Sequence, residues 1–130
     1  MDQVEMAVYA DKVLGVLTHH VGRHKAIGMG ELYVAVFGET WKNRINDTRR
    51  LRIIIDKLRD RGDAICSASS RTGGGYYLPS VGSELKDYCS RRRRKNLKGL
   101  VQEARMLKIS LPELLGQIEL NLKGGQDETP

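Results

Sequence analysis

The segment 47-DTRRLRIIIDKLRDRGDAICSASSRTGGGYYLP-79 constrains the fold more than any other part of the chain. Leu51, Ile54, Ile55 and Leu58 recur at helical spacing and define one apolar face. Asn46 or Asp47 supplies a cap and Gly62 a stop, so a helix is expected over residues 47–61. Next comes 64-AICSAS-69, β-branched and alternating, and then 75-GYYLP-79, aromatic, with a glycine-rich bend between them. Two short strand-like runs around such a bend predict a β-hairpin.

Elements on either side complete the order. Val4, Ala7, Val8, Val13, Leu14 and Leu17 predict a helix over residues 3–20, with Asp2 placed to cap it. A second, short helix is expected over 29-MGELYVAVF-37, bounded by Gly28, Gly30 and Gly38. The segment 39-ETWKNRIN-46 has no clean period and reads as a connection, with Trp41 and Ile45 pinned to the core. From Val81 a long helix runs to about Lys108, and 110-SLPE-113 starts another, with Ser110 as cap, Pro112 in the first turn and Glu113 completing a capping box. The polar ending GGQDETP, residues 124–130, is expected to be disordered. The fold class is therefore mainly α (α+β). Residues 1–80 form one domain of three helices and a hairpin, and residues 81–123 form a helical extension.

Charge and composition narrow the function. The net charge of +6 is local: residues 41–62 carry +5 and residues 81–130 carry +3, whereas residues 1–40 carry −2. Such clustering fits a polyanion-binding footprint or a pair of solvated helix faces. No apolar run approaches the ~20 residues that cross a membrane, and the N-terminus MDQVEMAVYADK does not read as a secretory signal. A cytoplasmic, nucleoid-associated protein is expected. Cys66 and Cys89 lack paired spacing, so neither a zinc site nor a disulfide framework is indicated. His20 and His24 are separated by Gly22 and lack a nearby carboxylate motif, so no metal is expected. Walker, HExxH and GxSxG motifs are absent, and no enzyme, cofactor or small-molecule ligand is indicated. Gly73-Gly74-Gly75 precedes a β-type run rather than a helix, so no helix dipole is available for a nucleotide phosphate. These glycines are expected to supply positive φ in the hairpin bend, with Tyr76 and Tyr77 on opposite faces.

The runs 58-LRDRGDAIC-66 and 75-GYYLP-79 resemble the end of the DNA-binding domain of bacterial biotin repressors. More broadly they are similar to small winged helix-turn-helix modules of bacterial and phage regulators. The shared pattern is a recognition helix ending in Leu-Arg-x-x-Gly, a strand, a glycine turn and a Gly-Tyr strand. The resemblance spans about residues 1–80 and is specific over residues 47–79. It implies a DNA-binding fold without enzymatic activity, since nothing in residues 81–130 supplies a biotin-ligase domain. One departure is the connection from Gly38 to Asn46, longer than the ~3–4-residue turn of tight helix-turn-helix units.

Site residues follow from the faces of the 47–61 helix. Thr48, Arg49, Arg50, Arg52 and Ile53 occupy its first turns, whereas Asp56 and Asp60 come later and would be repelled by phosphates. The N-terminal half is therefore expected to enter a major groove. Arg49 is placed for a bidentate contact to guanine, and Thr48 and Ile53 for thymine methyls. Lys42, Arg44 and Arg50 are expected to hold phosphates, with Asn46 beside them, and Arg52 either to do the same or to form an ordinary surface pair with Asp56, four residues on. At the hairpin tip, Ser69, Ser70, Arg71 and Thr72 are placed either along the DNA backbone or to reach a minor groove.

The run Arg91, Arg92, Arg93, Arg94 and Lys95 sweeps more than a full helical turn, so one solvated face cannot hold it. It is either a solvated neck or a phosphate contact. Beyond it, Leu97, Leu100, Val101, Ala104 and Leu107 form an apolar stripe, continued by Leu111, Leu114, Leu115 and Ile118. That stripe folds back on its own domain or pairs with a second copy, and a two-fold homodimer is expected. The leading functional expectation is sequence-specific binding of double-stranded DNA by a small transcriptional regulator. A non-enzymatic protein-interaction adaptor and an accessory factor of phage or plasmid replication are the alternatives.

Overall fold

Asp2 starts the first helix as its sequence position indicates: its Oδ1 accepts the Glu5 N–H at 2.8 Å. The computed structural model describes residues 2–40, 42, 48–69 and 74–128, the side chains of 124–128 excepted. Contacts divide the chain into two units, Met1–Tyr88 and Cys89–Pro130. The described residues are mainly helical, with one small two-stranded antiparallel sheet.

In the first unit, α1 (Gln3–Leu17) buries Ala10, Val13 and Leu17, one row at helical spacing. A short 3-10 turn (Arg23–Lys25) leads to α2 (Met29–Phe37), whose Leu32, Tyr33 and Val36 face inward. Gly38, at φ +71°, ends α2 by donating to the Val34 carbonyl at 2.8 Å. The third helix, α3 (Arg49–Asp60), contributes Leu51, Ile54, Ile55 and Leu58 to the same core. Trp41 and Ile45, expected to pin the preceding connection, and the cap candidates Asn46 and Asp47 lie outside the described residues.

Strands β1 (Cys66–Ala68) and β2 (Gly75–Tyr77) pair antiparallel, with Cys66 opposite Tyr77 and Ala68 opposite Gly75. The far edge of β2 is not left bare. Tyr76 exchanges both backbone hydrogen bonds with Ile27 at 2.9 Å, and Leu78 and Gly22 continue the contact. The segment before α2 thus covers an edge that would otherwise be open to another chain. Tyr77 is fully buried and Tyr76 partly so, in keeping with alternation along the strand.

Among the described residues positive φ occurs at Gly22, Gly38 and Gly62, whereas Gly75, expected to supply it in the bend, is a strand residue without it. A Cβ at Gly75 would overlap the Ile27 carbonyl, and one at Gly74 the Ala68 carbonyl. Close approach of backbones requires glycine at these two positions. Gly73 lies outside the described residues.

Helix α4 (Gly82–Leu107) begins in the first unit, and its early turns explain why the division falls after Tyr88 rather than near residue 80. Glu84 accepts the Ser80 N–H at 3.0 Å and the Arg23 N–H at 3.4 Å. Tyr88 accepts a hydrogen bond from Arg59 at 3.0 Å and lies 3.3 Å from the Ser67 hydroxyl. In the second unit, Lys108 turns the chain at φ +57° and Ser110 caps α5 (Leu111–Glu128), its Oγ accepting the Glu113 N–H at 3.2 Å. Helix α5 is described as far as Glu128. A helix already nucleated adds a hydrogen bond for each residue it fixes, which can carry it past two glycines.

Candidate nucleic-acid interface

Helix α3 has two chemically opposed sides. Leu51 and Ile54 are inaccessible, and Ile55 and Leu58 nearly so, which fixes the rotation of the helix about its axis. Arg49, Arg52, Asp56, Lys57 and Asp60 are consequently exposed, and Ile53 remains 42% accessible although it is aliphatic. Arg49 makes no hydrogen bond or ion pair among the described residues, so its guanidinium is presented outward. The first turns of this surface offer cations and an apolar contact, and the later turns add carboxylates.

Two residues of this helix depart from the expected interface. Thr48 is only 2% exposed, so its methyl group is not offered to a thymine; it sits at the entry of α3, turned into the protein. Arg50 is committed within the fold. Its guanidinium lies 4.1 Å from the Phe37 ring centroid and pairs with Glu39 at 3.3 Å. Glu39 also accepts the Tyr33 hydroxyl at 3.0 Å, so Arg50 joins α3 to the end of α2 rather than standing ready for a phosphate. Burial raises the Tyr33 phenol above its ordinary range, and the neighbouring Glu39 adds to this.

Arg59 is the residue that periodicity passed over. Its Nε donates to the Ile65 carbonyl at 2.8 Å and its terminal nitrogen to the Tyr88 hydroxyl, tying α3 to β1 and to the start of α4. The available signal was its place in the last turn of a helix, where a cation meets free carbonyls. Burial also raises the Tyr76 phenol, while the charges of Arg59 and Arg52 act in the opposite direction. The aromatic strand therefore lies within electrostatic reach of the exposed side of α3.

Of the remaining expected contacts, Lys42 is exposed. Arg44, Asn46, Ser70, Arg71 and Thr72 lie outside the described residues. Arg91, Arg92, Arg93, Arg94 and Lys95 are all exposed on α4. The apolar stripe of the second unit is unevenly covered: Ala104 and Leu114 are buried, whereas Leu97, Leu107 and Leu115 are 44%, 54% and 43% exposed. Cys66 is buried and Cys89 exposed. Among the described residues, no three His, Cys, Asp or Glu side chains are grouped to hold a metal ion, and no helix is long and apolar enough to cross a membrane.

No protein-family model, no curated protein and no solved structure matches the chain.

Proposed function

We propose that the chain is a sequence-specific double-stranded DNA-binding protein of the winged helix-turn-helix type, acting as a small transcriptional regulator by occupying an operator. One observation carries this reading: α3 exposes Arg49, Arg52 and Ile53 over its first turns while its opposite side is locked into the core. A helix so held presents its N-terminal half to a major groove with little freedom to rotate. Arg49 then reads a guanine through O6 and N7, Ile53 packs on a thymine methyl, and Arg52 and Lys42 neutralise phosphates. Ser70, Arg71 and Thr72, between β1 and β2 in sequence, add phosphate contacts. Exposed leucines on α4 and α5 support a homodimer that places two such helices on one operator.

Selection of bound sites from a random duplex library, followed by titration across salt, tests the proposal. Affinity for the selected site is expected to fall steeply with log salt, and Arg49→Ala to relax its preference over random duplex, with roughly 1–3 kcal/mol of discrimination lost. Arg71→Ala should weaken all duplexes alike. Absence of duplex binding at low salt, or a flat salt dependence, would favour a protein-interaction adaptor instead.

A further inference from the structure

Beyond α3, the second unit carries a charged band of its own. Arg91, Arg94, Lys95 and Lys98 follow at positions i, i+3, i+4 and i+7 of α4. At 3.6 residues per turn they share an arc of about 100°, while Arg92 and Arg93 point elsewhere. All four are exposed and none is ion-paired among the described residues. From Tyr88 to Gln102 the sequence contains no Asp or Glu. Like charges at these spacings repel along a helix, and the carboxylates that precede the band on the same arc, Glu84 and Asp87, form no ion pair with it among the described residues.

We infer that this band is a second, sequence-independent binding site for the phosphate backbone of duplex nucleic acid, separate from α3. Uniform charge without apolar anchors suits such a partner. The apolar stripe of α4 starts only at Leu97, so the arginines have no hydrophobic face beside them to enter a lipid surface. Protein interfaces draw most of their energy from buried aromatic and aliphatic anchors, and the band has none. A duplex, by contrast, offers one charge per ~1.7 Å of axis, so the ~10 Å from Arg91 to Lys98 faces about six phosphate charges. Arg91 and Arg94 can grip a phosphate with two parallel N–H donors each.

The test uses the full chain and a random-sequence duplex, with affinity followed by fluorescence anisotropy across a salt series. Replacing the band (Arg91→Gln, Arg94→Gln, Lys95→Gln, Lys98→Gln) should reduce the slope of log affinity against log salt by roughly 3–4, at about 0.9 per lost phosphate contact. A control with the same change in net charge (Lys12→Gln, Lys25→Gln, Lys86→Gln, Lys123→Gln) should leave the slope near that of the parent. Equal slopes in the two variants, an unchanged slope in the first, or tighter binding to phosphatidylserine vesicles than to duplex would overturn the proposal. If circular dichroism shows helix loss in the fourfold variant, the pair Arg94→Gln and Lys98→Gln replaces it. A slope change of about 2 is then expected, and no change overturns the proposal. The α3 reading fails separately. Equal affinity for every duplex, with Arg49→Ala silent and the band's salt effect intact, removes that reading and leaves the band standing. Absence of duplex binding at low salt removes both.

Discussion

Gly75 and Ile27 meet backbone to backbone, and a methyl group at Gly75 would overlap the Ile27 carbonyl. Neither partner is the movable end of a side chain, so relief requires parting β2 from the segment before α2. Gly75→Ala is expected to destabilise the protein by about 1–3 kcal/mol, measured by urea unfolding. Gly99→Ala is the contrast, because nothing lies within 4 Å of its added Cβ and a helical alanine should instead gain ~0.5–1 kcal/mol. Glu84 makes a prediction of a different kind. The Ser80 N–H, with lesser help from Arg23, holds its carboxyl below the ordinary range. Since the folded-state value lies below the unfolded one, this contribution is fully present above the unfolded pKa of about 4.3. It is lost as pH falls through the folded value. Thermal unfolding of Glu84→Gln is therefore expected to show a lower midpoint at neutral pH and a flatter decline below pH ~4 than the parent.

Two helix ends use one hydrogen-bond pattern with different residues at the pivot. After α3, Asp63 donates to Leu58 and Gly62 to Arg59; after α4, Ile109 donates to Ala104 and Lys108 to Arg105. The pivots are Gly62 at φ +103° and Lys108 at φ +57°. A Cβ in this region costs about 1–2 kcal/mol, so Lys108→Gly should gain stability and Gly62→Ala should lose it, each by ~1 kcal/mol. Thermal midpoints moving in the same direction would contradict this. At this scale the sequence is most readable, because glycines bracketing 29–37 and apolar residues at 51, 54, 55 and 58 are local signals that survive into the fold. Ser110 likewise caps α5 at its expected place. What escaped reading depends on neighbours distant in sequence. Periodicity marks Arg50 and Arg59 as surface cations. Only the packing of α2 brings Phe37 and Glu39 to the first, and only the sheet and α4 bring Ile65 and Tyr88 to the second. Thr48, only 2% exposed, shows the same limit.

Across the whole molecule, apolar surface is distributed as unevenly as charge. Among the described residues, the first unit gathers α1, α2, α3 and residues of the strand pair around one core. In the second unit the stripe buries Ala104 and Leu114 but leaves Leu97, Leu107 and Leu115 about half exposed, with Leu120 and Leu122 more so. Helical leucines open to water along two successive elements are poorly explained as isolated surface residues, and a second copy of the same stripe would cover them. Sedimentation at micromolar concentration is therefore expected to give twice the 14.6 kDa of one chain. Leu107→Gln with Leu115→Gln should yield a monomer that keeps its helical circular dichroism. If the dimer serves DNA recognition, the parent will prefer two half-sites spaced by about 10–10.5 bp or a multiple over a single half-site, and the monomeric variant will lose that preference. A monomeric parent at every concentration removes the dimer while leaving Arg49 and the α3 surface to be judged on their own.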